Sequence, residues 1–475
     1  MRSSAAGKRC RRCARWSPAI SWPATCAEAR PVPPDLRCKR YRSACLFQVA
    51  RLCQVQPDFA ALGDAMTVIW SDGLRKLWNA LSDVIPGQNE VVKDVIKGLM
   101  VAVLVAAITW LASKVVGLLR RLLARVLDRN DHRWRVERAR SAVDRGGPGL
   151  WLAIPADRPP EYVDRMSSRP FVLAVANEKG GVSKTTTAAN LASAFARRFQ
   201  RPILLLDLDF QGSAGSLMHA GTQWQPQPPH LSSASEAISG DIEPAMLVRP
   251  TGFAREFTWI DSRGVTRRTP NAFGLAAFYD LKDTEDRVMV EWLLGDRKQD
   301  VRYTLYRLLR APGVRERFAL VLIDCPPRLT TACVQALCTS THILIPTVLD
   351  PTSAKAVGYF ATQLKRHEGL WPHLKVVGVL GTMTRQLQGE QDALRIAGDQ
   401  LRATLVGNES KLNWLDRLGI PYELPYDMVL RDIAEIGRAA ERGIAYDCVS
   451  RSDGGDDIRG YFDRLCAVLE DRMSK

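Results

Sequence analysis

Only one long apolar run interrupts the 475 residues of this chain, which excludes a polytopic membrane protein. No apolar stretch of the roughly 7–15 residues that a secretory signal requires precedes residue 65. Two cysteine pairs at metal-binding spacing are also lacking. Cys10-x2-Cys13, with Cys26 and Cys38, invites a zinc reading, but a second close pair is missing. Hydrophobic residues at 46% and charged residues at 25% exclude a mostly disordered or collagen-like chain. An excess of one charge is absent from the larger part, since residues 151–475 carry 40 Lys and Arg against 39 Asp and Glu. The formal +15 belongs to residues 1–150, with 26 basic and 12 acidic side chains, so net charge alone does not argue for nucleic acid.

Six of the eleven cysteines fall before residue 54. The other five (Cys325, Cys333, Cys338, Cys448 and Cys466) stand in apolar contexts, as reduced buried thiols of a cytoplasmic domain would. Residues 1–65 are rich in Arg, Cys, Ala and Pro without periodicity, and read as an unstructured or mis-called extension with Met66 as the start. Over residues 66–97, Trp70, Leu74, Leu77, Trp78, Leu81 and Ile85 fall at helical spacing, ended by Pro86-Gly87. That amphipathic helix suits a protein core and a bilayer interface equally.

Residues 98–119 follow, beginning with sixteen uncharged residues, Gly98 to Ser113, and interrupted only by Lys114. A bilayer span takes about 20 residues, so this segment is expected to be a transmembrane helix. Nine arginines lie between Arg120 and Arg145 against four acidic residues. The positive-inside rule places the following chain in the cytoplasm, at the inner membrane. The same collar suits anionic headgroups, at about 1 kcal/mol per basic residue near the surface. Gly146-Gly147-Pro148-Gly149, Pro155 and Pro159-Pro160 make the remainder of 120–169 read as a linker. A second domain is expected from about residue 170.

That domain opens with FVLAVANEKGGVSKTTTAANLASAF, residues 171–195. A short apolar strand, a glycine-bearing loop and an Ala/Leu-rich helix are what a phosphate-binding loop needs, because successive backbone N–H groups and the helix N-terminus surround a polyphosphate. The loop Lys179-Gly180-Gly181-Val182-Ser183-Lys184-Thr185-Thr186 puts Lys184 within reach of β- and γ-phosphates and the Thr185 hydroxyl at Mg²⁺. ILLLDLDFQGSAGS (203–216) and FALVLIDCPP (318–327) are buried strands ending in carboxylates, Asp207 with Asp209 and then Asp324. Asp324 would hold Mg²⁺. HILIPTV (342–348) and VVGVLGT (376–382) extend the alternation of strands and helices, which predicts an α/β fold, a doubly wound and mainly parallel sheet.

The second lysine in KGGVSKTT resembles the deviant Walker A motif of the ParA/MinD family of P-loop ATPases, and the resemblance covers about residues 170–470. It implies ATP and Mg²⁺, slow hydrolysis, and a homodimer that sandwiches ATP, with Lys179 crossing to the partner's nucleotide. It also implies that Asp209 orients the attacking water, and Asp207 is expected with Thr185 and Asp324 among the metal residues. Ser183 stands where many members have glycine. The separation of Asp209 from Asp324 suggests an insertion at about 221–300, either a surface element that meets an unknown protein partner or a decorated loop with helices of its own. The first reading is therefore a membrane-tethered ATPase switch. Its rivals are a partition ATPase binding nonspecific DNA, and a membrane-associated kinase with Walker motifs. The kinase would carry a tyrosine-rich tail, whereas only Tyr461 lies in the last 25 residues.

Overall fold

A computed structural model describes Lys76, 90–143, 149–162, 170–226, 230–249, 253–384, 389–405, 410–431 and 434–475. The expected extension 1–65 lies outside the described residues, as does the helix read from Trp70 to Ile85 apart from Lys76. The chain divides into two compact units, Met1–Val115 and Val116–Lys475.

In the first unit, helix α1 (Glu90–Val143, which runs on into the second) carries the apolar run. Val101–Arg120 is long and apolar enough to cross a membrane, with a mean hydropathy of 2.1 and none of it buried. Leu99, Val103, Trp110, Leu111 and Leu118 are all more than half exposed.

The second unit is built on one eight-stranded sheet. Its strands are β1 (Phe171–Val175), β2 (Ile203–Asp207), β3 (Arg255–Ile260), β4 (Thr266–Leu275), β5 (Leu320–Asp324), β6 (His342–Val348), β7 (Lys375–Thr384) and β8 (Leu430–Arg431). The order is β3-β4-β2-β5-β1-β6-β7-β8, parallel throughout except for the β3–β4 hairpin at one edge. Every residue of β2 and β5 is buried whichever face it points to, so helices cover both faces. Continuous Leu, Ile and Val runs such as ILLLD and LVLID suit strands buried on both sides.

The principal helices are α2 (Lys184–Phe199), α3 (Asp280–Leu294), α4 (Thr331–Thr339), α5 (Pro351–Arg366), α6 (Glu390–Leu405) and α7 (Gly455–Ser474). Helix α2 packs on β2, β4 and β5 and against α7. Helices α5 and α6 pair with each other and cover β6 and β7.

Two expectations about organisation are corrected. Residues 221–300 supply the β3–β4 hairpin and α3, and β4 pairs with β2 in the sheet, so much of this segment is built into the fold. Residues 149–162 are docked on the second unit, where a linker was expected: Trp151, Ala153, Ile154 and Tyr162 are buried. Composition suggested a linker because the groups that hold the segment lie far along the chain. The buried Arg302 guanidinium donates to the carbonyls of Trp151 (2.5 Å), Ile154 (3.1 Å) and Pro155 (3.1 Å), and Tyr162 Oη donates to Cys338 O at 2.6 Å. The unit thus begins well before residue 170.

Candidate functional site

Strand pairing brings the three motif strands to one edge. Val175 of β1 and Asp207 of β2 both lie in register with Asp324 of β5. The loop after β1 therefore opens beside two carboxylates at the strands' C-terminal ends, where open α/β sheets bind ligands.

That loop leads directly into α2, whose first amides have no partner within the helix. Gly181 has φ 72°, and Ser183, the residue preceding the helix, has φ 59° and ψ 29°. Both are left-handed, which turns the backbone tightly enough to aim successive N–H groups inward. A Cβ placed on Gly180 or Gly181 would meet nothing within 4 Å, so the open side of the loop is free for a ligand. Lys184 is buried, and its Nζ donates to the Lys179 carbonyl at 3.0 Å across the loop. Burial lowers its pKa, against the opposing pull of Asp324. Lys184 thus has a charge aimed into the loop, and Gly180 through Thr186 supply the cradle.

Asp207 and Asp324 have different surroundings. Asp207 accepts from the backbone N–H of Asp209 (3.1 Å) and of Gly215 (2.8 Å), one on each oxygen. Burial raises its pKa to about 7, with the Asp209 charge adding to the shift and these N–H groups opposing it. Asp207 had been placed beside the metal. With both oxygens engaged, its structural work is to shape the loop that presents Asp209. Asp324 is 1% exposed and neither of its oxygens has a hydrogen-bond partner among the described residues. Burial and then the Asp207 charge push its pKa well above the usual carboxylate range, with the Thr185 hydroxyl and Lys184 opposing. An orphaned carboxylate beside a threonine hydroxyl fits a hard cation that takes its other ligands from phosphate and water. No cluster of three or more His, Cys, Asp or Glu side chains suited to a metal occurs among the described residues.

Asp209 is partly exposed at the loop's mouth, and only its Oδ1 is used, accepting from Gln211 N at 3.1 Å. Lys179 turns toward α5 of its own subunit. Its Nζ donates to Ser353 Oγ and lies 3.6 Å from Asp350 Oδ2. Asp350 caps α5 by accepting from the N–H groups of Thr352 and Ser353. Burial would raise its pKa, but the Ser353 hydroxyl and amide, followed by Lys179, hold it below the usual value.

Four contributors were not anticipated from sequence. Asp350 and Ser353 hold Lys179. Asn177 donates to Pro346 O (2.8 Å) and accepts from Lys179 N (3.1 Å), which ties the loop to β6. Thr382 of β7 donates to Val182 O at 3.2 Å from two hundred positions away. Asn177 stands two residues before the lysine of the loop, and the other three belong to no contiguous motif. The only local signal was Asp350 directly before Pro351, a helix-start pattern.

Residues 173–410 match the family model described as the CobQ/CobB/MinD/ParA nucleotide binding domain. The chromosome-partitioning ATPase Soj of Thermus thermophilus is 31% identical over 212 residues, 44% of this chain and 68% of that protein. The chromosome partitioning protein ParA of Caulobacter vibrioides is 27% identical over 293 residues, 60% of this chain and 97% of that protein. Among solved structures, cobyrinic acid a,c-diamide synthase of Mycobacterium smegmatis with bound ATP analog and magnesium is 28% identical, covering 49% of this chain and 82% of that one at a TM-score of 0.39.

Proposed function

The chain belongs to the CobQ/CobB/MinD/ParA nucleotide-binding family through residues 173–410, and from that premise we propose that it is an ATP-binding, slowly hydrolysing dimeric switch tethered to a membrane, which positions or regulates a protein partner. The observation that carries the reading is the orphaned Asp324 carboxylate beside Thr185, at the foot of a loop with two lysines.

Phosphoryl transfer to water needs positioning and charge stabilisation from the protein. Backbone N–H groups from Gly180 to Thr186 and the Lys184 ammonium hold the phosphates. Thr185 and Asp324 would hold Mg²⁺, which when bound neutralises phosphate charge. Asp209, with one oxygen uncommitted at the mouth, orients the attacking water. Lys179, released from Asp350, reaches the nucleotide of the second subunit and neutralises the charge that develops there. Hydrolysis then removes the reason for the two subunits to stay together.

Membrane attachment rests on Val101–Arg120 and the basic residues after it. The DNA-partition rival draws on the names of two relatives. Against it, three of the basic residues that could make such a face (Arg385, Arg395, Arg402, Lys411, Arg431 and Arg438) are paired with acids: Arg395 with Asp392 and Asp399, Arg402 with Asp416, and Arg438 with Glu435. Arg385 lies outside the described residues. The kinase rival lacks an accessible tail tyrosine, since Tyr461 is buried and donates to Met428 O at 2.9 Å.

The test is a reconstitution of the full chain in vesicles with and without anionic lipid, with duplex DNA offered at two salt concentrations. ATP-dependent dimerisation at the membrane, without DNA uptake, is the expected result. Salt-sensitive, ATP-dependent DNA binding would move the protein to the partition reading.

A further inference from the structure

The last turns of α1 and the segment that follows are wired to the loop behind Asp324. Arg135 Nη1 donates to Trp292 O at 3.2 Å, and Arg138 Nε donates to Ala153 O at 2.6 Å. Ala139 and Ala142 are buried on the same helix. The Trp151 ring stacks on Trp292, with centroids 6.4 Å apart and planes 20° from parallel. Its indole N–H donates to Leu329 O at 3.1 Å, in the loop between Asp324 and α4. The start of α4 that follows is held from α3, because buried Glu285 accepts from Ala332 N at 2.7 Å. Behind these contacts, Arg302 is fully buried, pairs with Asp300 (2.6 Å) and lies 4.7 Å over the Trp292 ring.

A buried ion pair whose remaining donors hold three carbonyls of another segment fixes that segment in one place. A stacked indole can move only with its neighbours. A displacement of Leu329 must therefore either break its hydrogen bond to Trp151 or carry residues 149–155 with it, and through Arg138 the last turns of α1.

We propose that residues 133–143 and 149–155 form a transmission arm that couples the loop behind Asp324 to the basic end of α1, with Trp151 as its contact point. The proposal rests on the nucleotide reading above. Coupling is reciprocal, so a load on the basic end of α1 changes nucleotide affinity by the factor through which nucleotide changes the arm.

Amide hydrogen exchange on the full chain in detergent, with no nucleotide, with Mg-ADP and with a slowly hydrolysed Mg-ATP analogue, tests it. In the wild type the analogue should change exchange at 325–332, and at 149–155 and 133–143 with it, by about fivefold or more. Trp151→Phe keeps the stacked ring and removes the N–H. In that variant residues 179–186 and 325–332 should still respond while 149–155 and 133–143 no longer do. A response confined to 179–186 and 325–332 in the wild type overturns the arm and leaves the nucleotide site standing. An unchanged response in Trp151→Phe also overturns it. No response anywhere refutes the nucleotide reading and the arm together. If Trp151→Phe loosens 149–155 before nucleotide is added, the wild-type pattern decides alone.

Discussion

Lys179 and Asp350 are joined within one subunit: Nζ to Oδ2 is 3.6 Å, with both side chains between a third and a half exposed. The lysine assigned to the partner's nucleotide is therefore held at home by the cap of α5. An ion pair this exposed is worth at most about 1 kcal/mol, so the latch is weak enough for dimerisation to open it.

Asp350→Asn keeps a capping oxygen and removes the charge. ATP-dependent dimers should form at up to about fivefold lower protein concentration, with thermal stability changed by less than about 1 kcal/mol. Lys179→Ala should bind nucleotide normally and remain monomeric. Light scattering with ATP and with ADP checks both.

Asp324→Asn should make the nucleotide-free protein more stable and the enzyme inactive. The substitution removes an unpartnered buried charge, and such groups cost about 1–3 kcal/mol. The pH dependence has a definite sign. Asp207 and Asp324 have folded pKa values above their unfolded ones, so their contribution is complete below the unfolded carboxylate value. It is lost as pH rises, through about 7 for Asp207. Without Mg²⁺ the wild type should lose stability over that range, and Asp324→Asn should lose less. Melting temperatures from pH 5 to 8 in EDTA measure this; parallel curves for the two proteins would contradict it.

Ser183 occupies a left-handed conformation at φ 59°. Ser183→Val should cost about 1–2 kcal/mol and weaken nucleotide binding, because left-handed backbone is unfavourable for residues with a Cβ and worst for β-branched ones. Ser183→Gly should retain binding. Calorimetric titration with Mg-ADP distinguishes the pair.

Arg302→Met leaves Asp300 buried without its partner, which should destabilise the ATPase unit by about 3–5 kcal/mol. Asp300→Asn in the same chain should recover part of the loss. Urea midpoints of the single and double variants supply the comparison.

Ala107→Arg places a charge at the middle of the apolar run, at a cost to insertion of about 2.5–3.5 kcal/mol. Flotation with vesicles should show the variant shifted to the soluble fraction. Equal flotation would remove Val101–Arg120 as the anchor.

The nucleotide site was legible where its chemistry is contiguous. KGGVSKTT, the Asp207–Asp209 turn and the strand ending at Asp324 each announce themselves over fewer than fifteen residues. The parallel sheet followed from the alternation of apolar strands and helices. Long-range partners were hidden. Nothing near Trp151 or Pro155 reveals that Arg302 will hold them, so a docked segment had the composition of a linker. Thr382 and Ser353 look like ordinary polar residues until the fold brings them to the loop. The 221–300 segment contained a sheet strand whose TRRTPNAFGL sequence, with proline and asparagine inside it, gives a poor strand signal.

The two margins of the sheet limit how copies of this chain can assemble. At one margin β8 is two residues long. At the other, β3 is turned antiparallel, carries Arg255 and Glu256, and has Ile260 N already donating to Arg442 O at 2.8 Å. Short, charged or covered edge strands resist the addition of another chain's strand. Self-association by extending the sheet, which would produce open-ended fibres, is thereby discouraged. The closed twofold pairing proposed above, through the end of the sheet where the phosphate loop lies, would then meet no competition from the sheet's margins.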